Sequence, residues 1–516
     1  MKKYIKRITT LVLVAVFTFS CKNNLLDIQP ASSLSGNSYN SEKNLLAALY
    51  ASYEVLQWQS VDGIHVFPLM WQGIRADDLH SQFASFWTAG TIMDDFSLMN
   101  ANNPSVEKLW KKWYTGVNRA NIVIEKAAEF NGWSSAQAQQ QVIAEAKVLR
   151  AFYYFELVRM WGGVPLILNN IESTDDIPAL GRSTTAELYA QIDKDLLEAI
   201  SSESLASKGG VAAGRVTIGL AKTLLAKSKL YQKDYASCVK YCEEVMNSGE
   251  FSLETNFANN FSLDNENGVE SILEIQYGDG FTATNFEVAN QNSQGSAMWQ
   301  MCFTWVSGRY TSFSNMLPLG ELTAQYDRTN DTRFDATFIT VGTDLSQASP
   351  KLAQNWGSPV AEGQMSWLRP NLEDCNYSRK YFLSWETVDQ LLNVQQSPKN
   401  EKIIRYAEVL LMHAEAQALG GGGAISGLSS INALRQRAGI AALGTYTLAD
   451  VKLERRKELA TEGWNRFSDL VRWGDAASNA RLISKNFTPG RDELLPIPQN
   501  ERNLVGFDKL AQNPGY

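Results

Sequence analysis

The last quarter of the chain constrains the fold most. Three helix-forming stretches, IIRYAEVLLMHAEAQAL, INALRQRAG and ERRKELATEGWNRFSDLVRWGD, follow one another before the sequence runs through LLPIPQNE to QNPGY. Between Ile403 and Leu419 the apolar residues Ile404, Ala407, Leu411, Ala414 and Ala418 recur three or four apart, with small residues between them that let a second helix approach closely. This spacing predicts a packed helix. Gly420 to Gly423 stop it, because a run of glycines favours a left-handed exit and loses too much backbone entropy to stay helical. A short helix over Ser429–Ala438 follows. A third, over Leu448–Gly463, opens after Thr447, an N-cap with Asp450 three residues on. Its run of charges, Lys452, Glu454, Arg455, Arg456, Lys457 and Glu458, fits either a solvated face laced with salt bridges or a special role.

The first half keeps helical spacing as well, over Leu45–Leu56, Glu107–Phe130, Ala136–Trp161 and Thr185–Ile200, with loops rich in Gly, Asn, Ser and Pro and little strand signal. Gly214–Gly249 reads as two helices around a tight turn at Lys233-Asp234, a tetratricopeptide-like unit that must stack on other helix pairs to bury its faces. The fold class expected is therefore mainly α, a tetratricopeptide-like helical repeat scaffold with long irregular, aromatic-rich loops. One such stretch spans residues 251–400 and holds Trp299, Trp305, Trp356, Trp367 and Trp385 with Tyr310, Tyr326, Tyr377 and Tyr381. A second, between the first helices, holds Trp71, Phe83, Phe86 and Trp87 beside Arg75, Asp77 and Asp78. Disordered segments are poor in aromatics, so both are expected to be ordered binding loops.

At the amino terminus Lys2, Lys3, Lys6 and Arg7 precede an apolar run of 12 residues, Ile8 to Phe19. That is short of the roughly 20 needed to span a bilayer, and it reads as a secretory signal over residues 1–20. Thr18-Phe19-Ser20-Cys21 resembles a lipobox, with Thr18 where an aliphatic residue is usual; lipid on Cys21 would tie the protein to a membrane. Removing residues 1–20 takes four positive charges from the net of −8 and leaves −12, which argues against nucleic acid as a partner. With 516 residues, 44% of them hydrophobic, a large core is available, and length alone allows about two to four domains. The expected division is 21–250 and 251–516, the latter with irregular loops over 251–400 and helices over 402–480, in one compact unit. Cys238, Cys242, Cys302 and Cys375 suggest buried thiols, not a disulfide framework.

Searches for catalytic chemistry return little. His65, His80 and His413 fit no zinc pattern, no C-x-x-C or G-x-S-x-G occurs, and His413 on an apolar helix reads as a satisfied core histidine. Gly278-Asp279-Gly280 lacks the rest of a dinucleotide loop, and Asp264 to Gly268 fails calcium-loop spacing; both read as turns. Asp77-Asp78 and Asp94-Asp95 are adjacent pairs, and neighbours rarely flank one glycosidic bond from opposite sides, which disfavours a hydrolase. Such acids more often accept hydroxyl hydrogen bonds or pair with a cation, as Asp77 could with Arg75.

Six separated stretches carry a resemblance. AEAKVLRAFYYFELVRMWGGVPLIL (144–168), the Gly214–Gly249 unit, IIRYAEVLLMHAEA (403–416), ERRKELATEGWNRFSDLVRWG (454–474), LLPIP (494–498) and QNPGY (512–516) resemble the SusD/RagB family of outer-membrane nutrient-binding lipoproteins, as does Cys21 followed by LLDIQP. The resemblance implies a non-enzymatic, surface-exposed lipoprotein of a Bacteroidetes-type outer membrane, and no residue pattern in the sequence calls for a cofactor or a metal. It would lie over a SusC-like TonB-dependent transporter and pass it captured oligosaccharide. Stacking of sugar C–H faces on aromatic rings then falls to Trp87, Trp299 and Trp305, with Arg75, Asp77 and Asp78 as polar partners. Trp110, Trp113, Trp161, Trp464 and Trp473 are assigned to structure, and Arg150, Arg405, Arg466 and Arg472 to buried ion pairs. Two rival readings are a lid that captures peptide in an aromatic groove, as in RagB-like members, and a scaffold lipoprotein that binds only protein.

Overall fold

The protein's structure, a computed structural model, describes residues 38–57, 60–61, 64–65, 70–81, 93–171, 181–278, 316–362, 376–388, 390 and 397–516. The signal segment, Cys21, Cys302, Cys375, Trp87, Trp299, Trp305, Tyr310 and Trp367 lie outside the described residues.

Among the described residues, ten α-helices of eight or more residues carry the fold: α1 Glu42–Glu54, α2 Pro104–Glu129, α3 Ala136–Trp161, α4 Thr185–Ser201, α5 Ile218–Tyr231, α6 Tyr235–Met246, α7 Tyr406–Ala418, α8 Gly427–Arg437, α9 Leu448–Glu458 and α10 Arg466–Trp473. Successive helices pack on one another from α2 to α6, α7 lies on α6, and α8 and α9 close over α7. This is the stacked helix-pair scaffold expected from the repeat-like unit. Side-chain caps start most of these helices. Ser135 begins α3, Thr184 with Glu187 and Thr447 with Asp450 form capping boxes on α4 and α9, and Asp234 caps α6 directly after Lys233, whose φ of 62° makes the tight turn.

Helix α3 is buried along nearly its whole length from Val142 to Trp161. It lies against α2 with Gly116 under the Tyr153 ring, Trp113 stacked on that ring at 6.0 Å and Trp110 edge-on to Trp161 at 5.3 Å. Arg150 makes a two-point bridge to Asp195 on α4 at 2.8 and 2.7 Å. Trp161 donates to the Pro496 carbonyl of LLPIP, while Asn513 of QNPGY donates to the carbonyls of Trp161 and Leu495, so both C-terminal motifs pack on the end of α3. Apolar residues from Leu45 to Leu510 join in one cluster that draws on both halves of the sequence. Cys238 and Cys242 are buried free thiols, and His413 is fully buried between Ser430 and Glu243.

Short strands fill the space between helices: β1 Leu79–Ser81, β2 Ser271–Ile275, β3 Met316–Pro318, β4 Phe338–Ile339, β5 Tyr377–Ser378 and β6 Glu401–Arg405. The antiparallel pairs are β1–β3, β2–β6 and β4–β5. Strand β6 corrects one boundary. Residues 403–405 extend along β2, and α7 starts at Tyr406, whose N–H donates to the Glu270 carbonyl. Helix α9 also ends earlier than its spacing suggests, at Glu458, because Thr461 takes a left-handed φ of 62°. Nor is its charged run solvated: Glu454, Arg455, Lys457 and Glu458 are all buried. Several aromatics expected in binding loops are core residues as well, since Trp71, Tyr326, Tyr377 and Tyr381 are at most 6% exposed. No helix among the described residues is long and apolar enough to cross a membrane.

Candidate functional site

The 70–81 segment reaches its place through charges from the far end of the chain. Gln72 accepts hydrogen bonds from the backbone and hydroxyl of Ser468 at 2.9 and 2.8 Å. Arg75 is buried, donates to the Asp492 carbonyl at 2.7 Å and lies over the rings of Phe467 and Phe96. Burial pushes its guanidinium down to about 10. Asp77 accepts two hydrogen bonds from Arg466, both 2.7 Å, and one from Asn479 at 2.9 Å. Asp78 is held by Arg456 at 2.6 Å, with Arg466 at 3.3 Å. Burial opposes ionisation of Asp77, yet Arg466 and Arg456 outweigh it and hold the carboxyl below the usual range; burial and the Asp77 charge push Asp78 up.

Arg75, Asp77 and Asp78 are at most 5% exposed. The structure therefore places the three expected polar partners inside, occupied by protein groups. Asp77 pairs with Arg466 and Arg456 and not with its sequence neighbour Arg75, whose contacts are a carbonyl and two rings. What the three side chains do is fix the segment that carries them.

A second clasp, not anticipated from sequence, holds the end of this segment. Lys485 donates to the carbonyls of Ile74, Ala76 and Leu79 at 2.6, 2.7 and 3.1 Å and bridges to Asp94 at 2.7 Å. Asp94 also receives the Ser81 N–H at 3.2 Å and stands 2.6 Å from His80 Nδ1. Burial works against this carboxylate, but Lys485 and His80 hold it down at about 2. Asp94 was legible only as half of an acidic pair, and Lys485 not at all, because their partners are backbone carbonyls and residues far away in sequence.

Strand β1 then joins this segment to a distant part of the chain. It pairs with β3 in the register Leu79 with Pro318, His80 with Leu317 and Ser81 with Met316. Because the pair is antiparallel, the chain leaves β1 after Ser81 at the point where it enters β3 at Met316. The two aromatic-rich stretches recognised in the sequence, one after Ser81 and one before Met316, thus join the described fold side by side, about 5 Å apart. On its other side β3 accepts the Asn376 N–H through the Pro318 carbonyl at 2.8 Å.

Behind this layer lies a dense ion-pair core. Glu458 meets Arg333, Arg405 and Arg437 at 3.0, 3.1 and 2.5 Å, and Glu462 meets Arg405 and Lys380. Arg472 bridges Glu415 and Asp469. The four arginines assigned from sequence to buried ion pairs all pair with buried carboxylates; Arg150 and Arg405 are themselves buried, Arg466 and Arg472 partly so. An internal cavity of about 30 Å³ among Arg405, Arg455, Arg456 and Arg466 has room for a water or two and none for a sugar.

The helical scaffold, the β1–β3 junction and the C-terminal motifs invite comparison with known proteins. The profile of the SusD family matches residues 231–516, and a second, described as starch-binding and associating with the outer membrane, matches residues 26–217. The chain belongs to the SusD family. A SusD-like protein of Bacteroides ovatus is 27% identical over 489 residues, covering 90% of this chain and 82% of the relative. SusD-like protein P38 of Formosa agariphila is 26% identical over 549 residues, covering 99% and 98%. Among solved structures, a laminarin-binding SusD-like protein superposes with a TM-score of 0.76 at 27% identity, covering 93% of this chain and all of that one. Surface glycan-binding protein A from Bacteroides thetaiotaomicron, in complex with laminarihexaose, gives 0.75 at 25% identity, covering 91% and 99%. For this SusD-family chain, the six stretches quoted from the sequence are parts of one scaffold.

Proposed function

We propose that this SusD-family protein is a cell-surface lipoprotein, anchored through lipid on Cys21, that captures a glycan and passes it to a SusC-like TonB-dependent transporter in the outer membrane. It acts by binding and carries out no catalysis. The observation that supports this reading most is the likeness, over nine-tenths of the chain, to two solved SusD-like proteins whose names specify laminarin and laminarihexaose.

The binding surface is assigned to the two stretches that join the fold at the β1–β3 pair, with Trp87 six residues after Ser81 and Trp299 and Trp305 before Met316. Aromatic rings stack on the apolar faces of sugars, and a few such contacts give an affinity modest enough for release to a transporter. Arg75, Asp77 and Asp78, buried and paired within the protein, hold the 70–81 segment in place instead of touching sugar.

Affinity electrophoresis of the chain from residue 22 onward, in gels containing laminarin, starch or other polysaccharides, tests the reading. Retardation by at least one glycan, abolished or strongly reduced by Trp87→Ala, Trp299→Ala or Trp305→Ala, is expected. Unretarded migration in every gel, together with no heat on titration with laminarihexaose, overturns it.

A further inference from the structure

Away from the β1–β3 pair, a cleft of about 720 Å³ opens between the 3-10 turns at Phe257–Asn265 and the chain on either side of β4 and β5. Phe261, Asp264, Asp335, Arg379, Phe382 and Lys399 are among the residues that line it. Two of these are cations with unusual surroundings. Lys399 is 5% exposed, and its ammonium donates to the carbonyls of Lys380 and Phe382, each at 3.1 Å. The half-buried Arg379 donates to the Asp335 carbonyl at 2.9 Å. Neither has a carboxylate within ion-pair distance among the described residues, in a protein whose other buried cations nearly all do. Burial, with Lys402 nearby, pushes the Lys399 amine down to about 7 in spite of Glu266, so its ammonium form is the one that an added counter-charge would favour.

Glu266 acts on Lys399, and Asp335 and Asp344 on Arg379, only from beyond ion-pair distance. Asp264 and Asp335 are exposed, so solvent and salt screen them, whereas the buried Lys399 is screened far less. An anion entering the cleft could take the third Lys399 N–H and the free donors of Arg379, whose planar fork suits a carboxylate or sulfate. Phe261 and Phe382 add apolar contact for a ring. The cleft is nonetheless within reach of the β1–β3 pair. Arg379 follows Asn376 by three residues, and Asn376 bonds to β3, so the cleft wall is roughly 15 Å from the β1–β3 pair, a span one polysaccharide chain can bridge.

We propose that this cleft is a second saccharide site, selective for an acidic sugar unit, whose carboxylate or sulfate ester is gripped by Lys399 and Arg379. The assignment deepens the glycan-capture reading and rests on it: the ligand is a charged polysaccharide held at two points.

Titration calorimetry with the chain from residue 22 onward tests it, using oligogalacturonate as the carboxylated probe, a sulfated galactan oligosaccharide as the sulfated one and laminarihexaose as the neutral one. At least one anionic probe is expected to bind, with affinity that falls as NaCl rises from about 50 to about 500 mM. Arg379→Gln and Lys399→Met each weaken that probe at least tenfold and leave laminarihexaose unchanged. Whichever anionic probe binds tells carboxylate from sulfate. Because Lys399 is buried, its variant could fail to fold; Arg379→Gln, at a half-buried site, then carries the test alone. Silence from both anionic probes, or anion affinity indifferent to Arg379→Gln, overturns the cleft assignment. Loss of the neutral probe alone, with the Arg379 effect intact, instead counts against the aromatic platform.

Discussion

Replacing Asp77 with asparagine separates a structural from a ligand-binding use of that side chain. Asp77 is 3% exposed and takes two hydrogen bonds from Arg466 and one from Asn479. Asparagine keeps the shape and one acceptor oxygen but removes the charge, leaving Arg466 with Asp78 at 3.3 Å, a partner it shares with Arg456. Breaking a buried pair from one side costs about 3–5 kcal/mol, and the remaining contacts reduce the expected loss to about 2–3 kcal/mol. At roughly 2.1 cal/mol/K of unfolding entropy per residue, about 500 residues give about 1 kcal/mol/K, so scanning calorimetry is expected to show a Tm lower by about 2–3 °C. Affinity for whichever glycan retards the protein in the electrophoresis test, measured well below that Tm, is expected to change less than about twofold, the factor set by about 0.4 kcal/mol. An unaltered Tm with lost affinity would refute the reasoning and make Asp77 a ligand contact.

Two further predictions follow from the packing and the charges. Gly116→Ala places a methyl group 2.6–2.8 Å from the Tyr153 ring, which cannot swing away because its hydroxyl is bonded to the Ser52 carbonyl; a loss of about 1–3 kcal/mol, read as a lower urea midpoint at unchanged slope, is expected. Asp94, Asp469, Glu408, Glu458 and Glu462 are held below their unfolded values, so their stabilisation is complete above about pH 4.5 and is lost as the pH falls through the folded values, roughly 2 kcal/mol for Asp94 alone. Glu156 and Glu401, raised by burial, act in the opposite sense and add stability as the pH falls toward about 5. A Tm maximum in mild acid with a steep fall below about pH 4 is expected, and a Tm still rising below that point contradicts the assignment.

Much of the scaffold was legible because helical spacing is a local signal. Helical spacing alone bounds Ala136–Trp161 as the structure has it, and Lys233-Asp234 marks the turn between α5 and α6. Strand β6 was read as helix because Ile403 and Ile404 continue an apolar pattern that a buried strand shares, and its partner lies about 130 residues earlier. The site was harder to read for the same reason of distance. Arg466 was recognisable as an interior cation, but Asp77, 389 residues away, was not recognisable as its partner, and the nearer Arg75 drew the pairing instead. Aromatic abundance misled where hydroxyls found internal acceptors, as Tyr326 does at the Lys457 carbonyl. The register of β1 with β3 depends on a two-residue-period match between segments over 230 residues apart and leaves no mark in either one.

The pairing of β2 with β6, of β1 with β3 and of Asp77 with Arg466 ties together segments on opposite sides of residues 279–315. A protease that cuts one peptide bond in that interval therefore does not release two pieces. Strand ladders, buried charges and the shared apolar cluster hold the halves as a single particle, and only denaturation separates them. Among hydrolytic enzymes, a nicked molecule of this design stays assembled, and two separately made halves divided there are expected to find each other and rebuild the scaffold.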